Sequence, residues 1–186
     1  GTGVGKTYLA KEYTKICYGL DHFIRLDMSE YKESHSISKL IGSPPGYVGY
    51  EDNRNVFEEI KDHPYAVLLL DEIEKASLNV VHLFLQILDE GKAKNAKGEE
   101  IRFDNTVIIM TSNLGSEKDN VGFVNEENRK KEEELRLFFG SEFLNRINKV
   151  IYFNNINEEA IDKIIALKLA DFRKQYLLKG IKLRFA

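Results

Sequence analysis

Hydrophobic positions along this chain fall into short continuous blocks and longer stripes recurring every three or four residues. Continuous blocks of this length predict strands buried on both faces. Residues 65–71 (YAVLLLD) form the clearest, with 106–111 a second buried strand and 22–27, 149–153 and 181–185 shorter candidates. Helical spacing predicts helices over 6–18, 36–41, 55–62, 129–139, 143–147 and 158–178. The last carries Ile161, Ile164, Ile165, Leu169, Phe172 and Tyr176 on one stripe. Residues 80–88 are apolar nearly all round and predict a buried helix. Residues 92–104 read as a polar hairpin turning at Lys97-Gly98, and 42–50 and 114–128 as loops. Strands alternating with helices argue for an α/β fold with a parallel sheet.

Composition sharpens this little. The chain has 186 residues, 42% hydrophobic and 31% charged, enough for a packed core. A net charge of −3 gives no electrostatic footprint for nucleic acid, and the apolar runs are too short to span a membrane. The single cysteine, Cys17, excludes an internal disulfide framework; its spacing from Leu9, Tyr13 and Ile16 predicts a buried helix face. His22, His35, His63 and His82 lack metal-ligand spacing.

The opening stretch GTGVGKT ends as a phosphate-binding loop ends, G-x-x-x-x-G-K-[ST], with the motif's first Gly falling one position before Gly1. Small residues let backbone N–H groups close around phosphates, and the helix that follows adds its unsatisfied N–H groups. Lys6 would reach the β and γ phosphates and Thr7 would bind Mg²⁺. A Gly-rich turn into a helix is the alternative.

The strand over 65–71 ends in Asp71-Glu72. An acid at such a strand end holds Mg²⁺ in phosphate-loop enzymes, and a second carboxylate can act as general base toward water. Acids also favour first helical turns, but a buried strand ending in paired acids calls for a nearby cation, and Lys6 with Mg²⁺ supplies it. The two motifs together predict ATP or GTP hydrolysis. Asn113, just past the strand over 106–111, would sit beside the γ-phosphate if the two strands are neighbours; an isolated Asn there is otherwise a turn former.

TGVGKT, LIGSPPGYVGY, AVLLLDEIEKA, TVIIMTSNLGS and EFLNRI occur in this order. Together they resemble the second AAA+ ATPase domain of the Clp family of ring-forming unfoldases and disaggregases, over nearly the whole chain. The resemblance implies a phosphate-loop (AAA+) large α/β subdomain over residues 1–155 and the beginning of a small, helical lid subdomain over 156–186. It places Thr2, Gly3, Val4, Gly5, Lys6 and Thr7 in the Walker A loop, Asp71 and Glu72 in Walker B, and Asn113 at sensor 1. It makes Arg146 an arginine finger offered to the neighbouring subunit's nucleotide, where the residues alone equally suit a cation at a helix C-terminus. It makes Gly46, Tyr47, Val48 and Gly49 the substrate-gripping pore loop, where a packed Pro-Gly turn is the local alternative. Val121, Gly122 and Phe123, which alone could equally tuck back onto their own domain, resemble the docking loop of ClpC- and ClpA-type members for a ClpP-type peptidase; ClpB-type disaggregases lack that loop, and the VGF wording with the K-G-I-K-L segment most resembles ClpC.

The implied activity is ATP- and Mg²⁺-dependent unfolding and translocation of unfolded or tagged proteins by a homo-hexamer, feeding a ClpP-type peptidase. A ClpB-type disaggregase and a non-hydrolysing interaction module are the alternatives, and no nucleic acid or membrane is implied. The expected compartment is a bacterial cytoplasm or a bacterial-derived organelle such as a plastid. The resemblance also puts the strand before Walker A and the sensor 2 arginine outside this sequence, so the isolated chain is expected to hydrolyse little ATP. Asn53-Arg54, Lys94-Asn95, Ser141 and Asn148 depart from the family pattern without touching the phosphate chemistry.

Overall fold

The computed structural model describes residues 4–19, 22–44, 46, 55–114, 124–153 and 156–183, with backbone alone for 124–130. It divides into two compact units, Gly1–Tyr152 and Phe153–Ala186. In the first, α1 (Lys6–Cys17) precedes β1 (Phe23–Asp27), followed by short helical turns and α2 (Ser38–Ile41). Then come α3 (Val56–Asp62), β2 (Val67–Asp71), α4 (Leu78–Glu90), a hairpin of β3 (Lys92–Lys94) and β4 (Glu100–Arg102), β5 (Val107–Met110) and α5 (Val124–Leu144). The second unit holds α6 (Glu158–Leu177).

Parallel strands run in the order β1-β2-β5. The central position of β2 explains its unbroken VLLLD pattern: every residue is buried, as covering both faces requires. Leu68 and Leu70 join Ile24, Leu26, Phe57, Ile60 and Phe84 in the main core, where Phe57 meets Phe103 edge to face with centroids 5.2 Å apart. Val67 and Leu69, equally buried, lie outside that cluster because successive strand residues point to opposite faces. Against β2 packs α1, whose buried residues Ala10 and Thr14 are small enough for close approach; the Thr14 hydroxyl donates to the Ala10 carbonyl.

Several expectations need correcting. Cys17 is exposed, as are Leu9, Tyr13 and Ile16, because the Ala10–Thr14 edge of α1 meets the sheet instead. Over residues 80–88 helix α4 is not buried all round: Val80, Phe84 and Ile87 face the core while His82 and Gln86 are exposed. It ends at Gly91, whose φ of 67° is a left-handed cap and whose Cβ position Asp104 Oδ1 approaches to 2.7 Å. As one of the two outer strands described, β5 is only half-buried. Helix α5 begins at Val124, inside the stretch read as loop, and kinks at Gly140 before its last turn. Residues 149–153 form no strand, since no neighbouring backbone pairs with them among the described residues; nor do 181–183. On α6 the apolar stripe exists, but Ile161, Ile164, Ile165 and Phe172 are exposed. No described helix is long and apolar enough to cross a membrane.

Candidate functional site

The strand register builds the site. Arg25 lies opposite Leu69, and Asp27 opposite Asp71, so alternation sends the Arg25 and Asp71 side chains to the face covered by α1. The carboxylate of Asp71 is the hub. Its Oδ2 accepts from Thr7 Oγ1 at 3.0 Å and from Arg25 Nε and Nη2 at 3.1 and 2.6 Å. Its Oδ1 accepts from the Thr111 hydroxyl at 2.5 Å. Burial opposes ionisation of Asp71, but the bonds from Thr111, Arg25 and Thr7 outweigh it and hold the carboxyl below its usual range.

Lys6 stands at the opening of α1, immediately after Gly5, whose φ of 97° only glycine adopts readily. Neither a capping side chain nor a first-turn acid occupies that helix start among the described residues, so its N–H groups stay open to an anion. Lys6 Nζ donates to the Ser112 carbonyl at 2.5 Å and to Asn113 Oδ1 at 2.6 Å. Burial pulls the ammonium below the ordinary lysine value, and the negative charges of Glu74, Asp71 and Glu72 offset only part of that. A bound polyphosphate would supply the missing compensation.

The amide of Asn113 then passes to Glu72: Nδ2 donates to Glu72 Oε1 at 2.9 Å. At Glu72 the backbone has φ 58°, the single non-glycine positive value among the described residues, which costs about 1–2 kcal/mol. That turn swings the chain from β2 into a helical turn, and the Glu72 N–H is held by Thr111 Oγ1 at 3.1 Å. An ammonium, an amide and a carboxylate thus form one chain beside a hydroxyl–carboxylate pair. Hard oxygens of Thr7 and Asp71 within 3.0–3.3 Å of each other suit Mg²⁺, and the open helix start with Lys6 suits a triphosphate.

The AAA domain (Cdc48 subfamily) family description matches residues 1–150. The chain belongs to this family. This AAA domain is 46% identical, over 98% of its length, to the chaperone protein ClpB of Aquifex aeolicus, of which it spans 19%. It is 44% identical, again over 98%, to the ATP-dependent Clp protease ATP-binding subunit ClpE of Bacillus subtilis, spanning 27% of it. Among solved structures, Hsp104 with ATPγS and FITC casein in a closed state superposes with a TM-score of 0.84 at 37% identity, covering 92% of this chain and 31% of that one. The S. cerevisiae Hsp104–casein complex in an extended conformation gives 0.83 at 36%, with the same coverage.

Within the AAA domain, Lys6, Thr7, Asp71, Glu72 and Asn113 come together from α1, the end of β2 and the segment after β5. Val4 and Gly5 lead directly into α1. Thr2, Gly3, Tyr47, Val48, Gly49, Val121, Gly122 and Phe123 lie outside the described residues; Gly46 is described, with φ 88°. Arg146 does not join the cluster. Its Nη1 donates to the Glu142 carbonyl at 2.9 Å, and its Nε lies 3.0 Å from Asp89 Oδ1, off the N–H direction.

Sequence reasoning missed Arg25, Glu74, Thr111 and Ser112. Arg25 carried no local signal: it is the exposed position between buried Ile24 and Leu26, as an ordinary surface cation on a strand would be. Ser112 acts through its backbone carbonyl, which leaves no mark on residue type.

Proposed function

We propose that this AAA domain is the ATP-hydrolysing module of a Clp-type ring ATPase that unfolds and translocates protein. The observation that carries the reading is the linked set Lys6–Asn113–Glu72 beside Thr7–Asp71. Lys6 and the N–H groups at the start of α1 bind the phosphates, and Thr7 and Asp71 would hold Mg²⁺. The ion supplies charge neutralisation at the phosphate oxygens. Glu72, oriented by the Asn113 amide, accepts a proton from the attacking water. Arg146 serves as a finger toward a neighbouring subunit's nucleotide, which makes turnover depend on a homo-hexamer. Gly46, Tyr47, Val48 and Gly49 grip unfolded or tagged substrate, and Val121, Gly122 and Phe123 dock a ClpP-type peptidase.

Similarity to a ClpE named as a protease subunit supports the peptidase branch. Similarity to chaperone ClpB favours a second reading, a disaggregase without a peptidase. Deleting residues 121–123 from the full-length protein separates the two: loss of ClpP-dependent degradation supports the first, unchanged degradation refutes it. For the ATPase itself, Glu72→Gln should abolish hydrolysis and retain ATP binding; turnover near wild type overturns the assignment.

A further inference from the structure

The turn after β2 is stitched to the segment after β5 at three successive residues. The Glu72 N–H donates to Thr111 Oγ1 at 3.1 Å and the Ile73 N–H to the Thr111 carbonyl at 3.0 Å. The third stitch reverses direction: Glu74 Oε1 accepts the backbone N–H of Asn113 at 3.0 Å. Of these three stitches it is the one made by a side chain of the turn to a backbone N–H, and it grips the very residue whose amide bridges Lys6 and Glu72.

Glu74 is an expensive choice for that job. Its other oxygen, Oε2, is buried and accepts no hydrogen bond among the described residues. An unsatisfied buried acceptor is costly, and an apolar residue would avoid the cost. We propose that Glu74 is a positioning residue for hydrolysis: its reach to the Asn113 peptide fixes the Asn113 side chain between Lys6 and Glu72. This rests on the ATPase reading above. The role is one of length more than of charge. A peptide held at 3.0 Å leaves the amide little freedom to rotate away from Glu72, and a displacement of about 1 Å at such a site costs up to about a hundredfold in rate. The negative charge of Glu74 also favours the Lys6 ammonium, and that makes charge the rival explanation to be separated experimentally.

Two variants of the full-length protein separate them. Glu74→Gln keeps the length and an acceptor oxygen but removes the charge; Glu74→Asp keeps the charge but falls one methylene short. ATP turnover is measured with Mg²⁺, and nucleotide affinity with a fluorescent ATP analogue. The expected result is kcat within about threefold of wild type for Glu74→Gln and a loss of about ten- to a hundredfold for Glu74→Asp, with affinity in both within about threefold. The reverse order, Glu74→Asp active and Glu74→Gln inactive, assigns the effect to charge and overturns the proposal. Equal activity in both variants, equal loss in both, or loss of affinity in step with turnover also overturns it. Wild-type protein that binds no nucleotide overturns the ATPase reading instead, a result distinct from all of these.

Discussion

The Arg25 guanidinium places two of its nitrogens on a single oxygen of Asp71, at 2.6 and 3.1 Å, from the neighbouring strand. The pair joins β1 to the end of β2 where the Thr7 hydroxyl also arrives, so one carboxylate organises two strands and a helix.

This pairing predicts a pH dependence. Asp71 has its folded pKa held below the unfolded value, so its stabilisation is present above the unfolded pKa and is lost as pH falls through the folded one. Arg25→Met should raise the pH of the acid unfolding midpoint. Because Arg25 is half-exposed, the loss at pH 7 should stay near 1 kcal/mol by urea denaturation. An unchanged acid midpoint would count against the pair.

Asn113→Ala removes the link between Lys6 and Glu72 while leaving both in place. In the full-length protein kcat should fall about a hundredfold, with nucleotide affinity changed less than about fivefold. Steady-state turnover and equilibrium binding measured side by side check this.

Much of the architecture was legible because β2 is central. A strand covered on both faces must be apolar along its length, and residues 66–70 are, up to the acid at its end. The helix expected over 55–62 is one residue shorter: Asn55 is its N-cap, and its side chain accepts the N–H groups of Phe57 and Glu58. Burial of α1 and α4 was harder to read, since spacing alone does not say which edge of a helix meets the sheet. For α1 the small residues Ala10 and Thr14 won over the larger Leu9 and Tyr13 through closer approach. In the site, Lys6, Asp71 and Glu72 follow from motif chemistry. Arg25 and Glu74 act through contacts spanning 46 and 39 residues of sequence, beyond the reach of any local pattern.

Phe84 is fully buried in the main core beside the sheet. Phe84→Ala should cost about 3–5 kcal/mol by chemical denaturation, through lost burial and the cavity left behind. A cost under about 1 kcal/mol would mean that α4 does not pack as described.

Arg146 and Asp89 separate a structural role from a functional one. Their ion pair is near the surface, so Asp89→Ala should leave both stability and turnover close to wild type. Arg146→Ala should abolish turnover in the assembled ring and leave nucleotide affinity within about threefold, as loss of a finger from outside the site requires. Equal effects of the two substitutions on turnover would reduce Arg146 to a helix-end cation.

The most direct test is titration of the full-length protein and its Lys6→Ala variant with Mg²⁺ and ATPγS by calorimetry. Saturable binding to the wild type, weakened at least about tenfold in the variant, is the expected result, since Lys6 is the ammonium already drawn into the site beside Asn113. Binding of equal strength to both proteins would contradict a phosphate site at the start of α1.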